Sequence, residues 1–260
     1  MTLWNPLEHP IVLSYPQRVQ AGAWVEHVPF AMLAIDLVRP RVLVELGTHW
    51  GVSYCAFCQA VQQLGVEASC YAVDTWEGDP HTGVYGPEVL ADLRAHHDPR
   101  YAGFSRLLRE TFDAAAAHFA DGSIDLLHID GYHTYDAVRH DYETWQPKLS
   151  ARGVVLFHDI NVREYDFGVW RFWQELKPQY PHLEFHHGSG LGVVAVGAEP
   201  PGGLRSLLEM PPHHLPALRA FFSALGRRIS LNIERDATRS QLVALLERQA
   251  EFKRLVAGWE

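Results

Sequence analysis

The sequence is poor in two features that mark particular classes of protein: cysteine and positive charge. Three cysteines in 260 residues are too few for a disulfide framework. Cys55 and Cys58 have the spacing of half a zinc site, but no second pair completes it, so we interpret them as small apolar residues of a helix. The 22 Lys and Arg against 31 Asp and Glu leave a net charge of -9. This argues against a nucleic-acid partner, because neutralising phosphates requires a basic face.

Long apolar runs are missing as well. No apolar stretch reaches the roughly 18 residues of a membrane span, and the N-terminus lacks the charged-then-apolar pattern of a signal peptide. We therefore expect no membrane span and a cytoplasmic location.

A chain of 260 residues can bury one large α/β core. We assign residues 1–40 to an N-terminal loop and helix, 41–200 to the main domain and 201–260 to a helical extension.

What the sequence does contain is a regular alternation of strand and helix patterns. Strands are predicted at residues 41–46, 69–74, 104–109, 124–130 and 153–157, and a hairpin at 183–187 and 191–196. Several strands are continuous apolar runs, which predicts a parallel sheet covered on both faces by helices, with an antiparallel edge strand. In the extension, an apolar stripe predicts a packing or dimer helix. The stripe consists of Leu242, Leu245, Leu246, Phe252, Leu255 and Val256.

Acidic residues mark the carboxyl ends of the predicted strands. Ligands of an open parallel sheet bind in the crevice beyond these ends. The acidic residues found there are Glu45, Asp74, Glu110, Asp130 and Asp159. A sheet with a purely structural role has little use for so many charges at one edge, so the clustering predicts a binding or catalytic site.

The turn after the first strand is rich in glycine. It reads E-L-G-T-H-W-G-V-S from residue 45, and its glycines at 47 and 51 allow close approach of a ligand to the backbone. The dinucleotide fingerprint needs glycines where His49 and Val52 stand, and a Walker loop is absent too. Asp74 ends the second strand, where its carboxylate can accept hydrogen bonds from both hydroxyls of a ribose. Many nucleotide binders share these features, but we do not expect NAD to bind.

The E-x-G-x-x-x-G turn, the acidic end of the second strand, and the phrases GSIDLLHIDGYHTY and GVVLFHDI resemble a family of class I methyltransferases. Its members include the metal-dependent sugar O-methyltransferases of macrolide biosynthesis and domains that accompany bacterial glycosyltransferases. The resemblance covers roughly residues 25–195. It implies an α/β, Rossmann-like, doubly wound and mostly parallel seven-stranded sheet, with S-adenosylmethionine across the ends of the first two strands.

The resemblance also implies which residues contact this cofactor. The first turn would face the methionine part, Asp74 would hold the ribose, and the residues after the second and third strands would lie near the adenine. The implied set is Glu45, Gly47, Thr48, Gly51, Ser53, Asp74, Thr75, Trp76, Thr111, Phe112 and Asp130. His49 departs from the family pattern, which has a glycine at that position.

In the sugar methyltransferases that this sequence resembles, acidic residues after the fourth and fifth strands bind a divalent metal. The matching positions are Asp130, His158 and Asp159. An oxygen-rich set suits Mg²⁺ or Mn²⁺, although His158 would shift the preference towards Mn²⁺, Fe²⁺ or Zn²⁺. The resemblance makes His133 the general base, which removes the proton of the acceptor hydroxyl.

We therefore expect metal-assisted O-methylation of a sugar or glycan hydroxyl. O-methylation of a phenol or catechol is the alternative, and some relatives have been interpreted as hydroxylases. A non-enzymatic alternative is an inactive cofactor-binding domain that supports a glycosyltransferase through the C-terminal helices. The loop at residues 77–89 is either a lid over the cofactor or a plain connector.

Overall fold

One seven-stranded sheet forms the centre of the molecule. The computed structural model describes residues 4–257, with side chains to residue 254. The strands are β1 (Val42–Leu46), β2 (Ser69–Asp74), β3 (Gly78–Asp79), β4 (Gly83–Val84), β5 (Ser105–Arg109), β6 (Ile124–Ile129), β7 (Leu149–His158), β8 (His182–Phe185) and β9 (Leu191–Ala195). The sheet order is β5-β2-β1-β6-β7-β9-β8, and β3 and β4 form a separate small ribbon.

The first five strands in that order are parallel, and β9 runs antiparallel to both of its neighbours. The predicted hairpin therefore lies at one edge of the sheet, with β9 as its antiparallel strand. This confirms the predicted Rossmann-like, mostly parallel architecture. It also brings the carboxyl ends of β1, β2, β6 and β7 to one edge, where the acidic residues are.

Helices cover both faces of the sheet. They are α1 (Val28–Val38), α2 (Val52–Leu64), α3 (Pro87–Tyr101), α4 (Phe112–Ala116), α5 (Tyr135–Trp145), α6 (Val169–Leu176), α7 (Gly202–Leu208) and α8 (Leu215–Ala257). The buried apolar side chains form two clusters, one with α1, α2, α7 and the start of α8, the other with α4, α5 and α6. Successive residues of β1 alternate between them, since Leu43 belongs to the first cluster and Val44 to the second. The three cysteines are free and buried in the first cluster.

The predicted helical extension is interrupted once. It breaks between α7 and α8 at Pro211 and Pro212, since proline lacks the N–H that a continuing helix needs. The first turns of α8 pack on the domain through Leu218, Phe222 and Ile229, all at most 4% exposed. Farther along, the predicted stripe is exposed at Leu242, Leu245, Leu246 and Phe252. The side chains of Leu255 and Val256 lie outside the described residues.

Two other details differ from the predicted boundaries. β7 begins four residues before the predicted strand, and its pairing with β6 shifts register between Ile124 and Leu126. The polar loop after β2 contains the β3–β4 ribbon. Among residues 4–257, none of the helices combines the length and apolarity that crossing a bilayer requires.

Candidate cofactor and metal site

The turn after β1 passes directly against the end of β6. The backbone N–H of Asp130 donates to the carbonyl of Leu46 at 2.9 Å, and Gly47 donates to Val73 at 3.0 Å. Gly47 has φ +84°, and a Cβ there would lie 2.0 Å from the carbonyl oxygen of Asp130. Only glycine fits this close approach. The turn predicted to hold a cofactor is therefore joined to the strand that carries a predicted metal ligand.

Asp74 ties the same turn to the end of β2. Its Oδ2 accepts the backbone N–H groups of Thr48 at 2.9 Å and His49 at 2.8 Å, and its Oδ1 accepts that of Trp76 at 2.7 Å. A carboxylate has about four acceptor positions, so three are already used. Asp74 thus organises the turn and has about one acceptor position left for a ligand, where we expected two ribose hydrogen bonds.

Two adjoining cavities open at this edge of the sheet, and both are lined by Gly47, His49, Thr82 and Asp130. The larger, about 440 Å³, contains Thr48, Gly51 and Ser53 of the first turn together with His133, His158 and Asp159. The smaller, about 230 Å³, contains Asp74, Thr75, Thr111, Phe112 and Tyr85. Most of the residues predicted for the cofactor therefore line one continuous depression.

Glu45 and Trp76 of the predicted set do not line these cavities. Glu45 is fully buried, and its Oε2 lies 2.8 Å from Nδ1 of His128. The indole of Trp24 can only donate, and it lies 3.1 Å from Nε2 of His128. His128 therefore carries its proton on Nδ1 and donates it to Glu45, whose pKa is raised by burial. Trp76 is buried and donates its indole N–H to the carbonyl of His49 at 2.9 Å. Both predicted residues are buried beneath the turn and do not face the cavities.

Four polar side chains converge where β6 and β7 end. The ligand atoms of Asp130, His133 and Asp159 lie within 4.8 Å of one another. Nε2 of His133 is 3.0 Å from Oδ2 of Asp159, and Nδ1 of His158 lies 3.2 Å from Asp130 and 3.1 Å from Asp159. Asp159 has φ +60°, so the extended strand has ended and two adjacent residues can face the same centre. The structure brings together all of the predicted metal ligands and the predicted base.

The two carboxylates keep the nearby imidazoles charged. Burial disfavours the charged form of His133, but Asp130 and Asp159 outweigh it and raise its pKa to about 9. The same carboxylates raise the pKa of His158 well above its ordinary value despite complete burial. Burial alone would raise the pKa of Asp159, but attraction to His158 together with hydrogen bonds from His133 and His158 lowers it to about 2. The two carboxylates and the two protonated imidazoles thus balance each other's charge.

The sequence analysis missed two contributions to the site. Residues 20–25, from the segment before α1 that runs into a short 3-10 helix (Ala23–His27), form one wall of the larger cavity. His81 and Phe167, from two different loops, stack beside His133. Neither segment shows periodicity or a motif, and only the unusual length of the loop at 77–89 was a signal.

Comparison with known proteins supports this architecture. Residues 44–160 match a family model described as "Methyltransferase domain". Over 230 residues the chain is 45% identical to an uncharacterized protein of Sinorhizobium fredii, y4gI. The match covers 87% of this chain and 24% of that protein, so the chain spans about a quarter of the relative's length.

Solved structures share the fold at low sequence identity. A putative caffeoyl-CoA O-methyltransferase from Staphylococcus aureus has a TM-score of 0.53 at 13% identity, covering 74% of this chain and 90% of its own. Cofactor-bound Rv0187 from MTB has a TM-score of 0.52 at 14% identity, with 74% and 88% covered. Residues 44–160 are therefore similar in sequence to a methyltransferase domain, and the chain shares the fold of these solved structures.

Proposed function

We propose that the chain transfers a methyl group from S-adenosylmethionine to a hydroxyl of a sugar or glycan, assisted by a divalent metal. The observation that carries the proposal is the convergence of Asp130, His133 and Asp159 within 4.8 Å, in the cavity that also contains the first turn. O-methylation of a phenol or catechol remains the alternative.

The donor set fits a divalent cation. Asp130 and Asp159 supply oxygen ligands, which Mg²⁺ and Mn²⁺ prefer. Nε2 of His158 donates to the carbonyl of Gly188 at 3.0 Å, which leaves Nδ1 of a neutral ring free to act as a ligand between the two carboxylates. The protonated imidazoles supply the positive charge beside the two carboxylates that a bound cation would otherwise supply. We therefore assign Asp130, His158 and Asp159 as the metal ligands.

The cofactor fits the rest of the depression. S-adenosylmethionine supplies a methyl group on a positively charged sulfur, which an oxygen nucleophile attacks. The turn at Gly47 and Gly51 would admit its methionine part, with Thr48 and Ser53 beside it. Asp74 and Thr75 would contact the ribose. In the smaller cavity Thr111 and Phe112 would lie near the adenine.

The acceptor would lie in the larger cavity, close to His133. A sugar hydroxyl is a poor nucleophile until its proton leaves, and a divalent cation at this centre would lower the pKa of that hydroxyl. Nε2 of His133 lies 3.0 Å from Oδ2 of Asp159 and so borders the same centre, where a neutral His133 could accept the proton. We propose His133 as the catalytic base.

An assay with labelled S-adenosylmethionine tests the proposal against sugars, nucleotide-sugars, glycans and catechols. We expect turnover of a sugar hydroxyl that EDTA abolishes and Mg²⁺ or Mn²⁺ restores. The variant Asp159→Asn should lose turnover but keep S-adenosylhomocysteine affinity, whereas Asp121→Asn, in an exposed pair with Lys148, should behave as the wild type. Full activity in excess EDTA contradicts the metal role, and methylation of catechols alone selects the alternative acceptor.

A further inference from the structure

Residues 20–25, which we call the wall segment, line the larger cavity together with His133, His158 and Asp159. The residues that line the smaller cavity come from later parts of the chain, from Gly47 onward. Since we place the adenine and ribose in the smaller cavity, the larger one would hold the methionine part of the cofactor and the acceptor. The wall segment therefore borders the space that the acceptor would occupy.

The wall segment changes from exposed to buried along its length. Residues 20–23 are exposed, whereas Trp24 and Val25 are buried. Trp24 is fixed in place, because its indole N–H donates to Nε2 of His128 at 3.1 Å. An exposed stretch is not held by core packing, so the position of residues 20–23 depends on the contacts that hold the two ends of the segment.

The upstream end is held by the elements around the first turn. The backbone N–H of Gln17 donates to Oε1 of Gln59 on α2 at 2.8 Å. Arg18 donates through Nε to the carbonyl of Trp50 in the turn, and through Nη2 to Asp92 on α3 at 2.6 Å. The residues just before the wall segment are therefore tied to the main domain.

The downstream end is held by α8, the long helix of the C-terminal extension. Oγ of Ser230 donates to Oε1 of Glu26, the residue after the wall segment, at 3.0 Å. A Cβ on Gly226 would lie 2.1 Å from the carbonyl oxygen of Glu26, so the two backbones approach as closely as glycine permits. Glycine destabilises the interior of a helix relative to alanine, and this close approach gives the physical reason for glycine at this position.

We infer that α8 is a positioning element of the acceptor site, which holds the wall segment in place through Gly226 and Ser230. The inference rests on the proposed function, since it takes the larger cavity as the place of the acceptor. It assigns the C-terminal extension a part in acceptor binding and none in cofactor binding. Within the wall segment, Gln20 would bind an acceptor hydroxyl, because its amide can both donate and accept hydrogen bonds.

Four variants test the two halves of the inference. Gly226→Ala adds a methyl group that must push α8 and Glu26 apart. Ser230→Ala removes the hydrogen bond to Glu26, whereas Ser230→Thr keeps a hydroxyl that can donate it. Gln20→Ala removes the amide from the wall segment and leaves both of its ends held.

Two matched controls carry the same chemical changes elsewhere in the extension. Gly202→Ala alters a glycine at the start of α7, where an added methyl group would have nothing within 4 Å. Ser240→Ala alters an exposed serine of α8 whose Oγ donates to the carbonyl of Asp236 in the same helix. Neither control touches the wall segment.

Hydrogen–deuterium exchange of the backbone amides of residues 20–25 reports on the wall segment without any substrate. We expect faster exchange in Gly226→Ala and Ser230→Ala than in the wild type. Ser230→Thr should lie close to the wild type, and Gln20→Ala and both controls should equal it.

Steady-state kinetics with the acceptor that the wild type methylates gives the second measurement. We expect KM to rise about threefold in Ser230→Ala and in Gln20→Ala, within the range for one hydrogen bond, and by about tenfold or more in Gly226→Ala. Ser230→Thr should recover most of the loss seen in Ser230→Ala. Both kcat and S-adenosylhomocysteine affinity should stay within about twofold, since a rise in KM alone indicates lost binding of the acceptor.

Wild-type exchange and KM in both Gly226→Ala and Ser230→Ala overturn the inference. Faster exchange with an unchanged KM also contradicts it, since the segment would then move without affecting the acceptor. Loss of S-adenosylhomocysteine affinity as large as the rise in KM would assign the segment to the cofactor instead. Ser230→Ala decides the matter if Gly226→Ala does not fold.

The proposed function is judged separately, on the wild type. A wild type that methylates nothing rejects the proposed function and this inference with it. A wild type that methylates a sugar, with an unchanged KM in Gly226→Ala and Ser230→Ala, rejects the role of α8 and leaves the proposed function intact.

Discussion

At the scale of single residues, Asp141 on α5 is a buried acid with little compensation. It is 7% exposed, and its Oδ2 would be 3.3 Å from a Cβ on Gly131, which lines the smaller cavity. Burial raises the pKa of Asp141 to about 7, with the nearby charge of His140 opposing the shift. The folded protein therefore binds a proton at Asp141 that the unfolded chain has lost by neutral pH.

The sign of this linkage predicts a pH-dependent loss of stability. The bound proton of Asp141 stabilises the folded protein fully below the ordinary aspartate pKa of about 4. This stabilisation is lost as the pH rises through about 7, which lowers the free energy of unfolding by up to about 4 kcal/mol. Asp141→Asn should therefore unfold at higher urea than the wild type at pH 8, and at similar urea at pH 4.5. Asp136→Asn, exposed on the same helix, should show no such change between the two pH values. Equal midpoints of wild type and Asp141→Asn at pH 8 would contradict the raised pKa.

A substitution of Asp74 should weaken cofactor binding. Asp74→Asn removes the charge that accepts three backbone N–H groups, at roughly 1.5 kcal/mol or more for each charged hydrogen bond weakened. We expect at least tenfold weaker S-adenosylhomocysteine binding by calorimetry and a lower unfolding midpoint. The exposed Asp92→Asn is the control. Unchanged affinity would remove Asp74 from the cofactor site.

At the scale of elements, the turn after β1 depends on one glycine. Gly47→Ala must adopt a left-handed conformation and also displace the carbonyl of Asp130. Gly65 ends α2 with φ +58°, and an added methyl group there would have nothing within 4 Å, so Gly65→Ala costs only the conformation, about 1–2 kcal/mol. We expect Gly47→Ala to lose more stability than Gly65→Ala in urea unfolding, and also cofactor affinity. Equal losses would show that the approach of the turn to β6 is not restrictive.

The elements that could be predicted are those with a physical signature in a single segment. β1 and β6 are apolar runs that end in a carboxylate or glycine, so both the strand and its place at the sheet edge follow from local pattern. The wall at residues 20–25 and the contact of His81 with His133, 52 positions apart, depend on how irregular loops fold over the sheet. Buried support residues such as Glu45 were misplaced because a strand-end acid can face either a ligand or the interior.

At the scale of the whole molecule, the second half of α8 projects from the domain. Leu242, Leu245, Leu246 and Phe252 are 55–67% exposed, which is a large apolar face for a helix without a partner. Docking onto the chain's own domain is excluded for these four side chains, so we predict self-association. Light scattering should give two chains per particle for the full chain and one after removal of residues 236–260, a cut that preserves the packed Ile229. One chain per particle in both would reject this prediction.

The three buried cysteines allow transient unfolding of the protein to be measured by thiol labelling. Burial raises the pKa of Cys55 to about 12, and the reactive thiolate is therefore almost absent while the fold is closed. Cys55 and Cys58 lie on α2, the helix that follows the turn after β1, and Cys70 lies on β2. A thiol reagent can label them only in molecules that have transiently unfolded, so its rate reports the population of open states. Any compound that binds the turn should slow this labelling in proportion to its affinity, which gives a screen for cofactors and acceptors that needs no turnover.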